Sequence, residues 1–445
     1  MKKFLSILLA ILMLAVMLPV TAMAEENYVM ISGIKGVENE KYASFEAAYN
    51  AIKPKLEALC ESDALGQGAT TAEKFDALFF NRDENGNATL TYTISGNITY
   101  DESTLNNLLT FGRRASHYGN DRHLLNFKFI GATGRDSDTL TVNSDITLPY
   151  EWWGEKTTTS ISFENLTITG TAPSGLYPTQ KFFEGINFKV DNCKLEGIKI
   201  YNCSNVGGSY TITNNIFDGT NAPQNAYAIH LQGHETAPLT INISNNTISG
   251  YDRGINIDQK TAAATISNNN ISVKDAGRSC IQLTRLASTK VENNTMNLTG
   301  GNAITLHEGL LECAKPEITV SGNTINGTGY LIYDDAVANN KSFTNDNLTL
   351  TIAKDNTVAK TVDITQGVKG STKYGMSEIV KTTVENNVVP GGSTGGTIVI
   401  ITPTEDTPKT DDQKNPATGA NDVVAAAVAL MAVSALGMAV LTRKK

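Results

Sequence analysis

INISNNTISG, residues 241–250, decides how the chain is read. A β-branched run leads into an Asn pair, a second short β-branched run and a Gly. Altered copies follow the same plan: YTITNNIFDG at 210–219, TISNNNIS at 265–272, KVENNTMNLTG at 290–300 and EITVSGNTING at 317–327. One such segment is too short to bury a core alone. Repeated every few tens of residues, it reads as one rung of a solenoid.

The Asn position can be followed through Asn165, Asn192, Asn215, Asn246, Asn269, Asn294, Asn323, Asn356 and Asn387, in steps of 23 to 33 residues. Helical repeats hold their period because helices pack at fixed lengths. A parallel β-helix can lengthen one turn into a loop without disturbing its strands. Asn suits the turn because it tolerates left-handed φ/ψ. Rungs stacked about 4.8 Å apart let successive carboxamides hydrogen-bond in a ladder. Over roughly residues 160–387 the chain therefore resembles the right-handed parallel β-helix proteins of the pectate-lyase-like superfamily. The resemblance implies an all-β, single-stranded, right-handed parallel β-helix, here with a small N-terminal helical cap.

A second register lies downstream of each Asn. Gly185–Lys189, Ala228–Gln232, Gly254–Asp258, Cys280–Thr284, Ala303–His307 and Tyr330–Asp334 align, with Ile and Leu inward and the alternate positions outward. The outward columns are Asn187, His230, Asn256, Gln282 and Thr305, and beside them Lys189, Gln232, Asp258, Thr284, His307 and Asp334. In the resembled family such a face often binds polysaccharide; the competing reading is the solvated side of a sheet, which is polar in any case. The expected glycan-contacting residues are Asn187, His230, Asn256 and Gln282. Trp152 and Trp153 join them as a stacking platform, or else fill a core or cap. If a catalytic site exists, its candidates are His230, Asp258, His307 and Asp334. A glycosidase needs two carboxyls about 5–9.5 Å apart. Asp258 and Asp334, three rungs apart, would stand about 14 Å from each other. Arg253, Arg285 and Lys189 are candidate bases for a lyase, without an acidic cluster beside them to hold calcium. No metal site and no cofactor is expected.

The ends carry addresses. Residues 1–24 form a secretion signal, with Lys2 and Lys3 before an apolar run and Ala22-Met23-Ala24 before cleavage between Ala24 and Glu25. Residues 25–87 form the N-terminal cap: Ser44 is a candidate N-cap, and Phe45, Ala48, Tyr49, Ile52 and Leu56 follow at helical spacing, with Pro54 as a kink or a second start. Its Tyr42, Ser44, Glu46, Ala47 and Ala48 resemble the opening of many bacterial surface β-helix proteins. The β-helix spans 88–389, and a Pro- and Gly-containing polar spacer occupies 390–414. In 415–445, Asn415-Pro416-Ala417-Thr418-Gly419 precedes an uncharged run at 423–441 and the basic end Arg443-Lys444-Lys445. This order resembles the LPxTG sorting signal of Gram-positive cell-wall proteins, with Asn in the first position. The resemblance implies sortase as partner, cleavage between Thr418 and Gly419, and a covalent bond from Thr418 to peptidoglycan. A single-span anchor and a GPI signal are the competing readings.

The formal net charge of −9 makes nucleic acid a poor partner. Five cysteines at irregular spacing suggest neither a disulfide framework nor a zinc site. Cys193 and Cys203 are the pair the rungs could bring together. The first expectation for function is a wall-attached surface protein whose β-helix face serves adhesion or glycan binding. The alternative is a wall-anchored polysaccharide lyase or glycoside hydrolase.

Overall fold

A computed structural model describes residues 27–61, 81–100, 125–144, 158–171, 186–204, 208–233, 238–365 and 376–388, with Leu176 and short gaps at 36, 38, 82 and 85–87. The expected secretion signal, Trp152 and Trp153, the expected spacer and the expected sorting signal with Thr418 and Gly419 lie outside the described residues.

Each rung begins with a strand of a twelve-stranded sheet, here sheet 1, which includes Thr158–Glu164, Ile186–Asp191, Gly208–Thr213, Leu239–Ser244, Ala262–Ser267, Ser288–Glu292, Glu317–Ser321 and Thr349–Ile352. Apart from the N-terminal hairpin partners, its strands are parallel. The chain then turns a corner into a short strand such as Thr247–Ser249 and runs on into a longer one such as Arg253–Asp258, both in a fifteen-stranded sheet, sheet 2. The pattern is a parallel β-helix, and alternation of β-branched and polar residues explains it. In Leu239–Ser244, Ile241 and Ile243 are buried while Thr240 and Asn242 face solvent.

The corner after sheet 1 is constant through the seven rungs from Thr158–Glu164 to Glu317–Ser321. Two residues separate Ser244 from Thr247, Ser267 from Asn270, Glu292 from Thr295 and Ser321 from Thr324. The Asn pair divides the work there. The first member takes the left-handed conformation, as at Asn214, Asn245, Asn268 and Asn293, with φ of 55–59°. The second turns inward: Asn215, Asn246, Asn269, Asn294 and Asn323 are at most 1 % exposed. The Oδ1 of Asn246, Asn269, Asn294, Asn323 and Asn356 each accepts both the backbone N–H and an Nδ2–H of the Asn on the preceding rung at 2.9–3.0 Å. The spare Nδ2–H reaches a backbone carbonyl, for example Asn269 to Ile243 at 2.9 Å.

This corrects the Asn series read from sequence. Asn165 and Asn192 have φ of 56° and 52°, so they match Asn214 rather than Asn215. They join in a separate outer contact, Asn192 Nδ2 to Asn165 Oδ1 at 2.8 Å. Cys193 occupies the inward position on the rung before Asn215, its N–H donating to Asn215 Oδ1, and Leu166 occupies it on the rung before that. Cys193 is fully buried with a free thiol, so it forms no disulfide with Cys203. Asn387 belongs to no rung; it falls inside a helix described below.

Aromatic rings fill the early core. Tyr92 stacks on Phe129 at 5.0 Å and Phe129 on Phe163 at 4.9 Å, followed by edge contacts to Phe188 and Tyr210. Ile241, Ile243, Ile266 and Val291 take over in later rungs. Both ends are closed, as an open solenoid requires. At the N-terminus, Tyr28–Ser32 pairs antiparallel with Ala88–Ser95. Helix α1, Phe45–Glu61, contains Pro54, and Ser44 Oγ accepts the Ala47 N–H at 3.0 Å at its start. Its Phe45, Ala48 and Ile52 are fully buried, Phe45 against Tyr92 and Tyr100. At the other end, helix α2 (Asp335–Ala338) leads toward helix α3 (Glu378–Val388), which packs on the last rungs with Val380 buried. The sequence expectation ran the β-helix through α3.

Candidate functional site

The outer face of sheet 2 carries a cleft of about 340 Å³ lined chiefly by Tyr227, Arg253, Gln282, Thr305, Tyr330 and Tyr333, with Arg278, Ser279, Asn302, His307 and Asp335 completing it. Strand pairing puts these residues in columns. One column runs Tyr201, His230, Asn256, Gln282, Thr305, Tyr333. In a second, Tyr227 pairs with Arg253, and Ser279, Asn302 and Tyr330 follow on successive rungs.

The second column was missed for a physical reason. At the bend into each long strand two consecutive residues point inward: Ala228 and Ile229, Cys280 and Ile281, Ala303 and Ile304 are all fully buried. Strict period-two alternation assigns the residue just before such a pair to the interior; the bend puts it outside. The crowded bend also explains the small residues. A Cβ on Gly254 would stand 2.1 Å from the Cys280 carbonyl oxygen. Small residues recurring before an Ile were the available signal.

Asn187 is not in this face. It lies in sheet 1, beside Ser160 and Ser209, and Ser209 Oγ donates to its Oδ1 at 2.7 Å. Lys189 shares that strand and pairs with Glu164 and Asp191 on sheet 1. The rung neighbour of His230 is Tyr201 instead.

His230 sits between the rings of Tyr201 and Tyr227, with centroids 5.0 and 4.9 Å away. Burial lowers its pKa to about 4, against the pull of Asp258 toward the charged form. It is neutral at pH 7 and packs between the two rings, outside the residues that line the cleft. Asp258 is held by Arg285 Nε, after a register shift that sets Asp258 opposite Arg285 rather than Thr284. Hydrogen bonding to Asp258 raises the Arg285 pKa in turn. Thr284 instead donates to Asn256 Oδ1 at 2.7 Å and accepts from Gln282 Nε2 at 3.0 Å.

His307 and Asp334, which the aligned segments set side by side, are not neighbours in the structure. The strand pairs Leu306 with Asp334 and Thr305 with Tyr333, a slip of one residue from the sequence alignment. Such a slip exchanges the two faces. Asp334 turns inward, 3 % exposed, and accepts the Ala336 N–H at 3.1 Å and the Ser377 N–H at 2.8 Å. Burial raises its pKa despite those hydrogen bonds. It anchors the C-terminal cap and is remote from the chemistry proposed for it. His307 meets Asp335 instead, Nε2 to Oδ2 at 3.4 Å, while its Nδ1 accepts the Gly309 N–H at 3.0 Å. Both ring nitrogens are engaged, which holds the proton on Nε2.

Chemically the cleft offers three phenols, two guanidiniums, two amides, hydroxyls and one carboxylate, Asp335. A single carboxylate among the lining residues does not make the pair a glycosidase uses. Among the described residues, no three His, Cys, Asp or Glu side chains converge as a metal site. None of their helices is long and apolar enough to cross a membrane. Of the glycan-contacting candidates, Gln282 lines the cleft and Asn256 supports it through Thr284.

No curated protein and no solved structure matches the chain significantly. A family model described as the right handed beta helix region matches residues 196–389. That span contains every residue lining the cleft, and with the parallel stacking it makes this protein an all-β, right-handed parallel β-helix.

Proposed function

We propose that this chain is a bacterial surface protein, secreted through residues 1–24 and joined to peptidoglycan by sortase at Thr418, whose sheet 2 cleft binds a glycan. The observation that carries the binding reading is the cleft itself. Tyr227, Tyr330 and Tyr333 line it beside Gln282, Asn302 and Arg253. Aromatic faces suit the apolar faces of sugar rings, and fixed amides and guanidiniums suit their hydroxyls. Binding is favoured over catalysis because the four catalytic candidates are occupied otherwise: His230 packed between Tyr201 and Tyr227, Asp258 by Arg285, His307 at both nitrogens and Asp334 in the cap.

The attachment reading rests on the order of pentapeptide, apolar run and basic end in 415–445. Two measurements test the whole. The purified secreted chain, applied to a glycan array, should bind a defined set, and Tyr333→Ala should weaken that binding at least tenfold. In a sortase-bearing Gram-positive cell, Thr418→Ala should move the protein from the muramidase-released wall fraction to the membrane or medium. Absence of glycan binding sinks the first part, and wall retention of the variant sinks the second. A lyase or hydrolase remains the second reading, because Asp335 is oriented by His307 at the cleft wall. Release of reducing ends or of 235 nm-absorbing product, abolished by Asp335→Asn, would replace the binding reading with it.

A further inference from the structure

Arg253 is the unusual group in the cleft. A guanidinium has five N–H donors and no acceptor. Here Nη1 donates to Tyr227 Oη at 3.0 Å, and the guanidinium carbon lies 4.9 Å from that ring's centroid. Its Nε is buried without a hydrogen-bond partner. Arg253 has no carboxylate partner among the described residues, and the neighbouring acids are engaged with other side chains. Asp258 pairs with Arg285, Asp252 with Lys274 at 3.4 Å, Asp275 with Arg278 at 3.1 Å, and Asp335 with His307. A charged group with a buried, unmet donor is costly to keep.

The guanidinium is also held in place. Arg253 donates to Tyr227 Oη, which donates to Gln282 Oε1 at 3.0 Å; Gln282 Nε2 donates to Thr284 Oγ1, which donates to Asn256 Oδ1. Each hydroxyl in this chain has one donor behind it and one acceptor ahead. Tyr227 therefore offers Arg253 a lone pair rather than a proton, and the remaining N–H groups of Arg253 are left for something else. Arg278 adds a second cation at the rim. The whole chain, by contrast, carries −9. A cation left unpaired inside a cleft of an acidic protein is suited to an anionic group of a ligand.

We propose that Arg253 is the anion receptor of the cleft, so that the bound glycan carries a carboxylate or sulfate group read directly by the guanidinium fork. This rests on the glycan reading above and narrows it to acidic sugars. Divalent cations are not needed for this contact, because the positive charge comes from the side chain itself.

The test uses the full secreted chain and matched oligosaccharides. Hyaluronan, oligogalacturonate and alginate fragments supply carboxylates, each compared with its carboxyl-reduced form. Keratan sulfate fragments supply sulfate without uronate, compared with their desulfated form. Titration calorimetry is run with EDTA and, separately, with calcium. At least one anionic form should bind ten-fold or more tighter than its neutral counterpart, in EDTA as in calcium, and increasingly weakly as salt rises. Arg253→Gln should abolish the preference, weakening binding of the anionic form at least tenfold more than binding of the neutral form. Arg253→Lys, which keeps the charge and loses the fork, should retain part of it and guards against a folding defect. Equal binding of charged and neutral forms by the unaltered protein overturns this inference and leaves the glycan reading standing. A preference that survives Arg253→Gln, or that appears only with calcium, overturns it too. Binding of no member of the panel, charged or neutral, overturns both.

Discussion

Replacing Asn269 by Ala tests the inward Asn ladder at its middle. The carboxamide makes four hydrogen bonds. Its Oδ1 accepts the Asn246 N–H and Nδ2–H at 2.9 Å, and its Nδ2 donates to Ile243 O and Asn294 Oδ1 at 2.9 Å. Asn294 Oδ1 keeps the Asn269 backbone N–H after the change. The Asn246 N–H and one Asn246 Nδ2–H do not recover a partner, at a site 1 % exposed, while the Ile243 carbonyl keeps its place in the sheet ladder. At about 1–3 kcal/mol for each buried unmet group, and with partial relaxation, the cost should be about 3–5 kcal/mol. Asn268, its neighbour, supplies conformation only, at φ 55°. Asn268→Ala should cost about 1 kcal/mol, and Asn268→Gly a few tenths. Because a solenoid need not unfold in one step, amide hydrogen exchange is the better assay. A local loss of about 3 kcal/mol should speed exchange at the Asn246 amide about a hundredfold, with little change at rungs beyond Asn323. If Asn268→Ala and Asn269→Ala cost the same, or the order reverses, the division of labour within the Asn pair is wrong.

Acid should loosen the sheet 2 face through His230. Its pKa falls from 6.5 to about 4 on folding, so its contribution is complete above 6.5 and is lost as pH drops toward 4. That loss amounts to at most roughly 3 kcal/mol; His230→Phe, which keeps a ring between Tyr201 and Tyr227, should flatten the melting temperature across this window. The Cys193 and Cys280 thiols, pushed up to about 12 by burial, should resist a thiol-specific reagent in the native chain and react only on unfolding. Asp334→Ala removes the acceptor for Ser377 and Ala336, so limited proteolysis should nick 378–388 at least ten times faster than in the unaltered protein, with the rungs before Glu317 intact.

Much of this architecture is legible in the sequence because it follows from local rules. Ile229, Leu231, Ile255, Ile257, Ile281 and Leu283 point inward as alternation requires. The left-handed turn at Asn follows from the side chain's own tolerance. Three things were not legible. The Asn pair has two roles, and a gap of one residue cannot be assigned until the corner geometry is known, so Asn165 and Asn192 were placed in the wrong column. Segments of similar texture occur in both sheets, so INFKV, 186–190, was aligned with strands it never touches. And parity fails at a bend. The double-inward pair at 228–229 hid Tyr227 and Arg253, and the slip at 330–334 exchanged Tyr333 with Asp334. The candidate site suffered most because Tyr227, Ser279, Asn302, Tyr330 and Tyr333 lie at or beside such an irregularity, whereas Gln282 and Thr305 follow plain alternation.

The constant corner has a consequence for altering the protein. Seven rungs cross it in two residues, from Asn165-Leu166 to Gly322-Asn323. The other two corners vary freely: eight residues join Asp218 to Tyr227 where three join Ser249 to Arg253, and fourteen join Asp334 to Thr349 where three join Asp258 to Ala262. One residue added at the constant corner would reverse the facing of the strand beyond it. Foreign peptides grafted into 219–226 or 339–347 would meet no such constraint. The β-helix is in this sense a display scaffold with a rigid spine and two open margins, and the cleft lies between the margins.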